Sequence, residues 1–86
     1  MPDDGARGHG MVSARLFAGL EQRSRDGRAE AHVPLAAAPT VAALCAALGL
    51  PEGVTGLVLV NGLHADLATP LSDGDEVALF PPVGGG

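Results

Sequence analysis

The chain has 86 residues, a formal charge of −5 and 47% hydrophobic content, of which only two residues are aromatic. That length supports one small domain, with a core drawn from Ala, Val and Leu and little left for an elaborate catalytic cavity. The acidic balance, with no basic cluster, argues against nucleic acid or an anionic membrane as partner and suits a basic surface on another protein.

Residues 1–10 (MPDDGARGHG) lack apolar periodicity and are rich in Gly and Asp, so they read as a disordered leader, with Met11 a second candidate initiator. Val12, Ala14 and Leu16 then alternate with Ser13, Arg15 and Phe17, the pattern of a half-buried strand. The polar stretch 21–27 predicts a turn, and 28–33 alternates again as the hairpin partner, ending before Pro34. Thr40 has the hydroxyl of an N-cap, and Val41, Leu44 and Leu48 follow on one helical face with Cys45 at its margin. Gly49 suits a left-handed helix stop, and Pro51 prevents continuation. Two short strands, 57–60 and 63–66, flank Asn61-Gly62, a pair favoured in type I′ hairpin turns. The turn-rich segment 70–75 leads into a last strand over 76–80.

The order β-β-α-β-β-β predicts an α+β fold: a mixed sheet of about five strands with one main helix on one face. The first and last strands can lie parallel at its centre, which is the β-grasp, or ubiquitin-like, layout. The domain is expected to span 11–83, between the leader and a flexible Gly-Gly-Gly tail at 84–86. Strand parity turns Val12, Ala14, Leu16, Val77 and Leu79 toward the helix. It leaves Ala78, Phe17 and Phe80 on the uncovered face, with both aromatics near the end from which the tail departs. Grouped exposed aromatics there predict a docking patch; the competing arrangement folds the 18–27 loop over Phe17.

After Phe80 the chain reads Pro81, Pro82, Val83, Gly84, Gly85, Gly86. The prolines stop sheet pairing and hold the exit extended, and the glycines form a slender tip that fits a slot too narrow for other residues. Fully extended, this arm reaches roughly 20 Å at about 3.3–3.6 Å per residue. Such an arm suits a protein whose own C-terminal carboxylate is the reacting group, whereas terminal glycines alone read as a frayed tail.

Other residues read as structural. Cys45 is the single cysteine, so no internal disulfide or cysteine-based zinc site can form; without a nearby basic residue it reads as packing. His9, His32 and His64 lack metal-ligand spacing and read as surface residues, so no metal site is expected. Asp73, Asp75 and Glu76 read as turn chemistry that an arginine on a partner can also meet. All five basic residues are arginines (Arg7, Arg15, Arg23, Arg25 and Arg28), so no internal ε-amine can capture an activated terminus; GC-rich coding explains the same absence. No signal peptide or membrane-spanning run is seen, and a cytoplasmic location is expected.

The segment PLSDGDEVALFPPVGGG (70–86), with its Asp73-Gly74-Asp75-Glu76 turn and Phe80-Pro81-Pro82 exit, resembles the C-terminal signature of the MoaD/ThiS sulfur-carrier family. It is similar to molybdopterin synthase small subunits in particular, and a coarser likeness covers 11–86. The resemblance implies that an E1-like adenylyltransferase uses MgATP to adenylate the carboxylate of Gly86. A sulfur donor then replaces AMP and leaves a thiocarboxylate, a transient modification, with no permanently bound cofactor. Gly85 and Gly86 map onto the family's terminal pair, while Gly84 stands where molybdopterin subunits often lack glycine. The implied partners are that activating enzyme and the molybdopterin synthase large subunit or another sulfur acceptor, met by Phe17, Phe80, Pro81, Pro82, Val83 and Gly84. On this reading the chain is a sulfur carrier in molybdenum or tungsten cofactor synthesis, and not itself an enzyme. The short link 49–57 lacks room for the extra helical segment of many molybdopterin subunits. Thiamin-type carriers, carriers for other pathways, ubiquitin-like modifiers and a binding module with an inert tail therefore stay open.

Overall fold

The computed structural model describes residues 10–82; the expectations for residues 1–9 and 83–86 fall outside them. The first alternating run is strand β1 (Met11–Leu16), with Val12, Ala14 and Leu16 buried between exposed or half-buried neighbours. Its antiparallel partner β2 is Glu30–Pro34, not 28–33. Arg28 and Ala29 continue the alternation, but residue pairing with β1 begins at Glu30, with Ala29 contributing only its carbonyl to Leu16 N at 2.8 Å. Pro34 sits opposite Met11 on an edge strand, where a missing N–H is tolerated. Gly10, assigned to the leader by composition, is instead buried, and its carbonyl accepts from Leu35 N at 2.7 Å.

The helix α1 (Val41–Ala47) starts as expected: Thr40 Oγ1 accepts from Ala43 N at 3.2 Å, meeting one of the unpaired donors of the first turn. It ends at Gly49, whose φ of +77° lies in the left-handed region. The polar stretch read as a plain turn closes this helix. Arg25 N donates to Leu48 O at 2.8 Å and its guanidinium to Ala47 O at 3.3 Å, placing a cation at the negative end of the helix.

Strands β3 (Leu57–Val60) and β4 (Leu63–Ala65) form the tight hairpin, with φ of +53° at Asn61 and +84° at Gly62 as a type I′ turn demands. The last strand, β5 (Glu76–Phe80), pairs parallel with β1 and antiparallel with β3. The sheet order is β2-β1-β5-β3-β4, so the first and last strands are central neighbours, as the element order predicted. Val12, Ala14, Leu16, Val58, Val77 and Leu79 form the sheet side of the core, and Val41, Leu44, Cys45 and Leu48 the helix side. Each fully buried aliphatic contributes about 1.5–3 kcal/mol relative to exposure. Leu20 joins them at 1% exposure, carried in by a 3₁₀ turn (Leu20–Arg23) inside the polar loop.

Candidate docking face and tail exit

With one face of the sheet committed to α1, every second residue must look the other way. Phe17 follows the last residue of β1, and its N–H still bonds Leu79 O at 2.9 Å, holding it beside β5. Phe80 ends β5. The two rings stack with centroids 4.7 Å apart and planes 11° from parallel, so parity brought together the right pair. Phe17 nevertheless remains 37% exposed. The 18–27 loop does not fold over it. Ala18 at φ +58° and Gly19 at +89° turn the chain away at once, and the next side chain, Leu20, enters the core on the opposite side.

The register extends this apolar face beyond the aromatics. Leu57 lies opposite Phe80, and Leu59 lies opposite Ala78; their neighbour Val58 points to the core. Neither leucine was identified from sequence, because the Leu-Val-Leu-Val run has no polar residue to mark its parity. Only the turn at Asn61-Gly62, which fixes the β3–β4 pairing, carried that signal. Polar pairs border the strip. Arg15 meets Glu30 at 3.1 Å, a largely exposed ion pair of little stabilising value, and Ser13 Oγ lies 3.2 Å from His32 Nδ1.

The acidic turn is tied to the framework. Asp73 Oδ1 accepts from Met11 N at 2.9 Å, and Asp75 accepts from Asn61 Nδ2 at 2.9 Å and Ser72 N at 2.8 Å. Asn61 Oδ1 in turn accepts from Glu76 N at 2.9 Å. Asp75 thus does turn chemistry through Ser72 N, whereas Asp73 ties the turn to the start of β1, and Glu76 keeps an exposed side chain. Asn61 has more than a turn to supply: its side chain links the β3–β4 hairpin to the start of β5.

From Phe80 the chain passes through half-buried Pro81 and exposed Pro82. The prolines share a shallow cleft of about 310 Å³ with Ala18, Leu20, Arg23 and Val54. Val83, Gly84, Gly85 and Gly86, the other residues singled out by sequence, lie outside the described residues.

Cys45 is buried, with its Sγ 3.9 Å from Thr55 Oγ1. Burial pushes its thiol above the ordinary cysteine range, and the Thr55 contact offsets part of this. A buried, protonated thiol is a poor nucleophile, so alkylation by iodoacetamide at pH 8 is expected to run at least about tenfold slower in the native protein than in urea. Equal rates would show Cys45 to be open to solvent.

The sequence pattern of the ThiS family matches residues 15–86. The fold is similar to SAMP1 from Haloferax volcanii, at TM-score 0.66 and 35% identity, covering 90% of this chain and 100% of that one. It is also similar to the HVO 2177 protein of Haloferax volcanii, at TM-score 0.72 and 28% identity over 92% of this chain and 89% of that one. A third neighbour belongs to a complex of subunits 1 and 2 of the molybdopterin-converting factor from Helicobacter pylori. It has TM-score 0.59 and 31% identity over 88% of this chain and 99% of its own. No curated protein matches the chain. A β-grasp sheet with parallel β1 and β5, and a family pattern running from β1 to the last residue, lead to one assignment: the chain belongs to the ThiS family of ubiquitin-like sulfur carriers and modifiers.

Proposed function

We propose that the protein carries sulfur on Gly86 for molybdopterin synthesis. The observation that carries this reading is the stack of exposed Phe17 on half-buried Phe80 at the end of β5, directly before the two prolines that lead to the terminal glycines. Aromatic anchors supply binding energy at a fixed distance from the reacting end, so docking also delivers the carboxylate. In the first step a Gly86 carboxylate oxygen attacks the α-phosphorus of MgATP held by an E1-like enzyme, and pyrophosphate leaves. In the second, hydrosulfide attacks the acyl carbon, AMP leaves and the new S–H loses its proton, giving the thiocarboxylate. Adenylation is needed because a free carboxylate is a poor acyl electrophile, whereas AMP is a good leaving group.

The chain supplies the substrate carboxylate and the docking face, and the activating enzyme supplies the catalysis. The 31% identical neighbour in a two-subunit molybdopterin-converting factor supports a large subunit as sulfur acceptor. A cytoplasmic location is part of this reading; among the described residues no helix is long and apolar enough to cross a membrane.

A second reading, a ubiquitin-like modifier joined to lysines of other proteins, is favoured by the 35% identity to SAMP1, whose name stands for small archaeal modifier protein 1. Intact mass after incubation with an E1-like enzyme, MgATP and a sulfide source separates the two. An oxygen-to-sulfur increase localised to Gly86 is expected. An adenylate without sulfur, followed by isopeptide-linked adducts, would establish the modifier. An unmodified chain beside a demonstrably active enzyme would overturn both and leave an inert-tail binding module.

A further inference from the structure

The loop before β3 ends at Gly56, directly under the point where the chain leaves the sheet. Gly56 N donates to Phe80 O at 2.7 Å. A Cβ built on Gly56 would stand 2.4 Å from Pro82 Cα, 2.8 Å from Pro82 N and 3.0 Å from Pro81 O. These are backbone atoms, so no rotamer change can make room. The need for glycine here is one of space, since Gly56, unlike Gly53 at φ +86°, is not in the left-handed region.

We infer that Gly56 is a positioning residue for the C-terminal arm: its missing side chain is the seat of Pro82, and it sets the direction in which the chain is handed on to Gly86. Pro81 and Pro82 have no N–H to donate to a neighbouring strand. Their own restricted φ, the Gly56 donor on Phe80 O and this close contact therefore bear most directly on their path. A Cβ at Gly56 would stand 2.4 Å from Pro82 Cα, where ordinary contact begins at 3.4 Å, so the root of the arm must shift by about 1 Å. A misplacement of about 1 Å can cost roughly a hundredfold in rate.

The inference rests on Gly86 being the reacting group, and its test keeps the two apart. In the wild-type protein a nuclear Overhauser effect between the Gly56 and Pro82 α-protons is expected, and its absence would overturn the seat whatever the tail does. In Gly56→Ala, amide shifts are expected to move around residues 54–57 and 79–80 while the core spectrum is retained. The kcat for adenylation should fall roughly 10- to 100-fold, with KM, set by the aromatic face, within about twofold of wild type. The double variant Gly56→Ala with Pro82→Gly, which lets the displaced chain bend back, should regain part of the lost kcat. Unchanged kcat, a rise in KM alone, or no recovery in the double variant would each overturn a role in aiming. A wild-type chain that is never adenylated would instead end the carrier reading, with the α-proton contact still testing the seat.

Discussion

A chain ending at Gly85 is expected to melt at the same temperature as the full protein and yet give no detectable adenylate. The core closes at Leu79, and no buried residue of the described fold lies beyond it. Removing the last residue therefore leaves the packing that sets stability in place. Chemically the change is severe. The new carboxylate falls about 3.3–3.6 Å short of the old one, several times the misplacement that costs roughly a hundredfold in rate. The face proposed for docking is intact in the shortened chain, so it should still compete with the full protein for the proposed activating enzyme. Pyrophosphate release and intact mass measure the chemistry, and competition measures the docking. Adenylation at Gly85 at a rate within about tenfold of wild type would show that the activating site does not read arm length, and the argument for an aimed tail would fail with it.

The β-grasp was legible because several local signals agreed. Alternation marked β1, Thr40 and Gly49 bracketed the helix, and Asn61-Gly62 demanded a hairpin. Parity, which needs only strand boundaries, then placed Phe17 and Phe80 on one face, and their rings do stack. What stayed hidden was tertiary. Leu57 and Leu59 sit in a run with no polar mark, so their outward orientation depends on register against Phe80 and Ala78. Gly56 reads as an ordinary loop glycine until Pro82 is seen resting on it. Leu20 stands beside a run of polar residues, and its path inward depends on a positive φ at Ala18, which few non-glycine residues adopt. The chemistry proposed for the tail rests on the pattern of its residues and on family resemblance, since a terminal carboxylate looks the same on every chain.

Leu20→Ala is the packing change expected to matter most for that loop. Leu20 is 1% exposed and among the largest fully buried side chains, although it lies in a segment whose composition reads as solvent-facing. Cutting it to alanine removes the transfer energy of its lost carbons and leaves a cavity, together about 3 kcal/mol. A domain of this size has roughly 4–13 kcal/mol in total, so the loss is a large fraction of it. For such a domain it corresponds to a drop in melting temperature of about 12–24 °C. Gln22→Ala, two residues away on the exposed side of the same turn, should change stability by no more than about 0.5 kcal/mol. The pair of melts distinguishes a loop anchored in the core from one lying on the surface. The consequence reaches the face proposed for docking, because Leu20 N bonds Phe17 O at 3.0 Å and Leu20 also lines the cleft beside Pro81 and Pro82. If both variants melt alike, the loop is not anchored by Leu20, and the turn that keeps Phe17 uncovered must be held by the backbone at Ala18 and Gly19 alone.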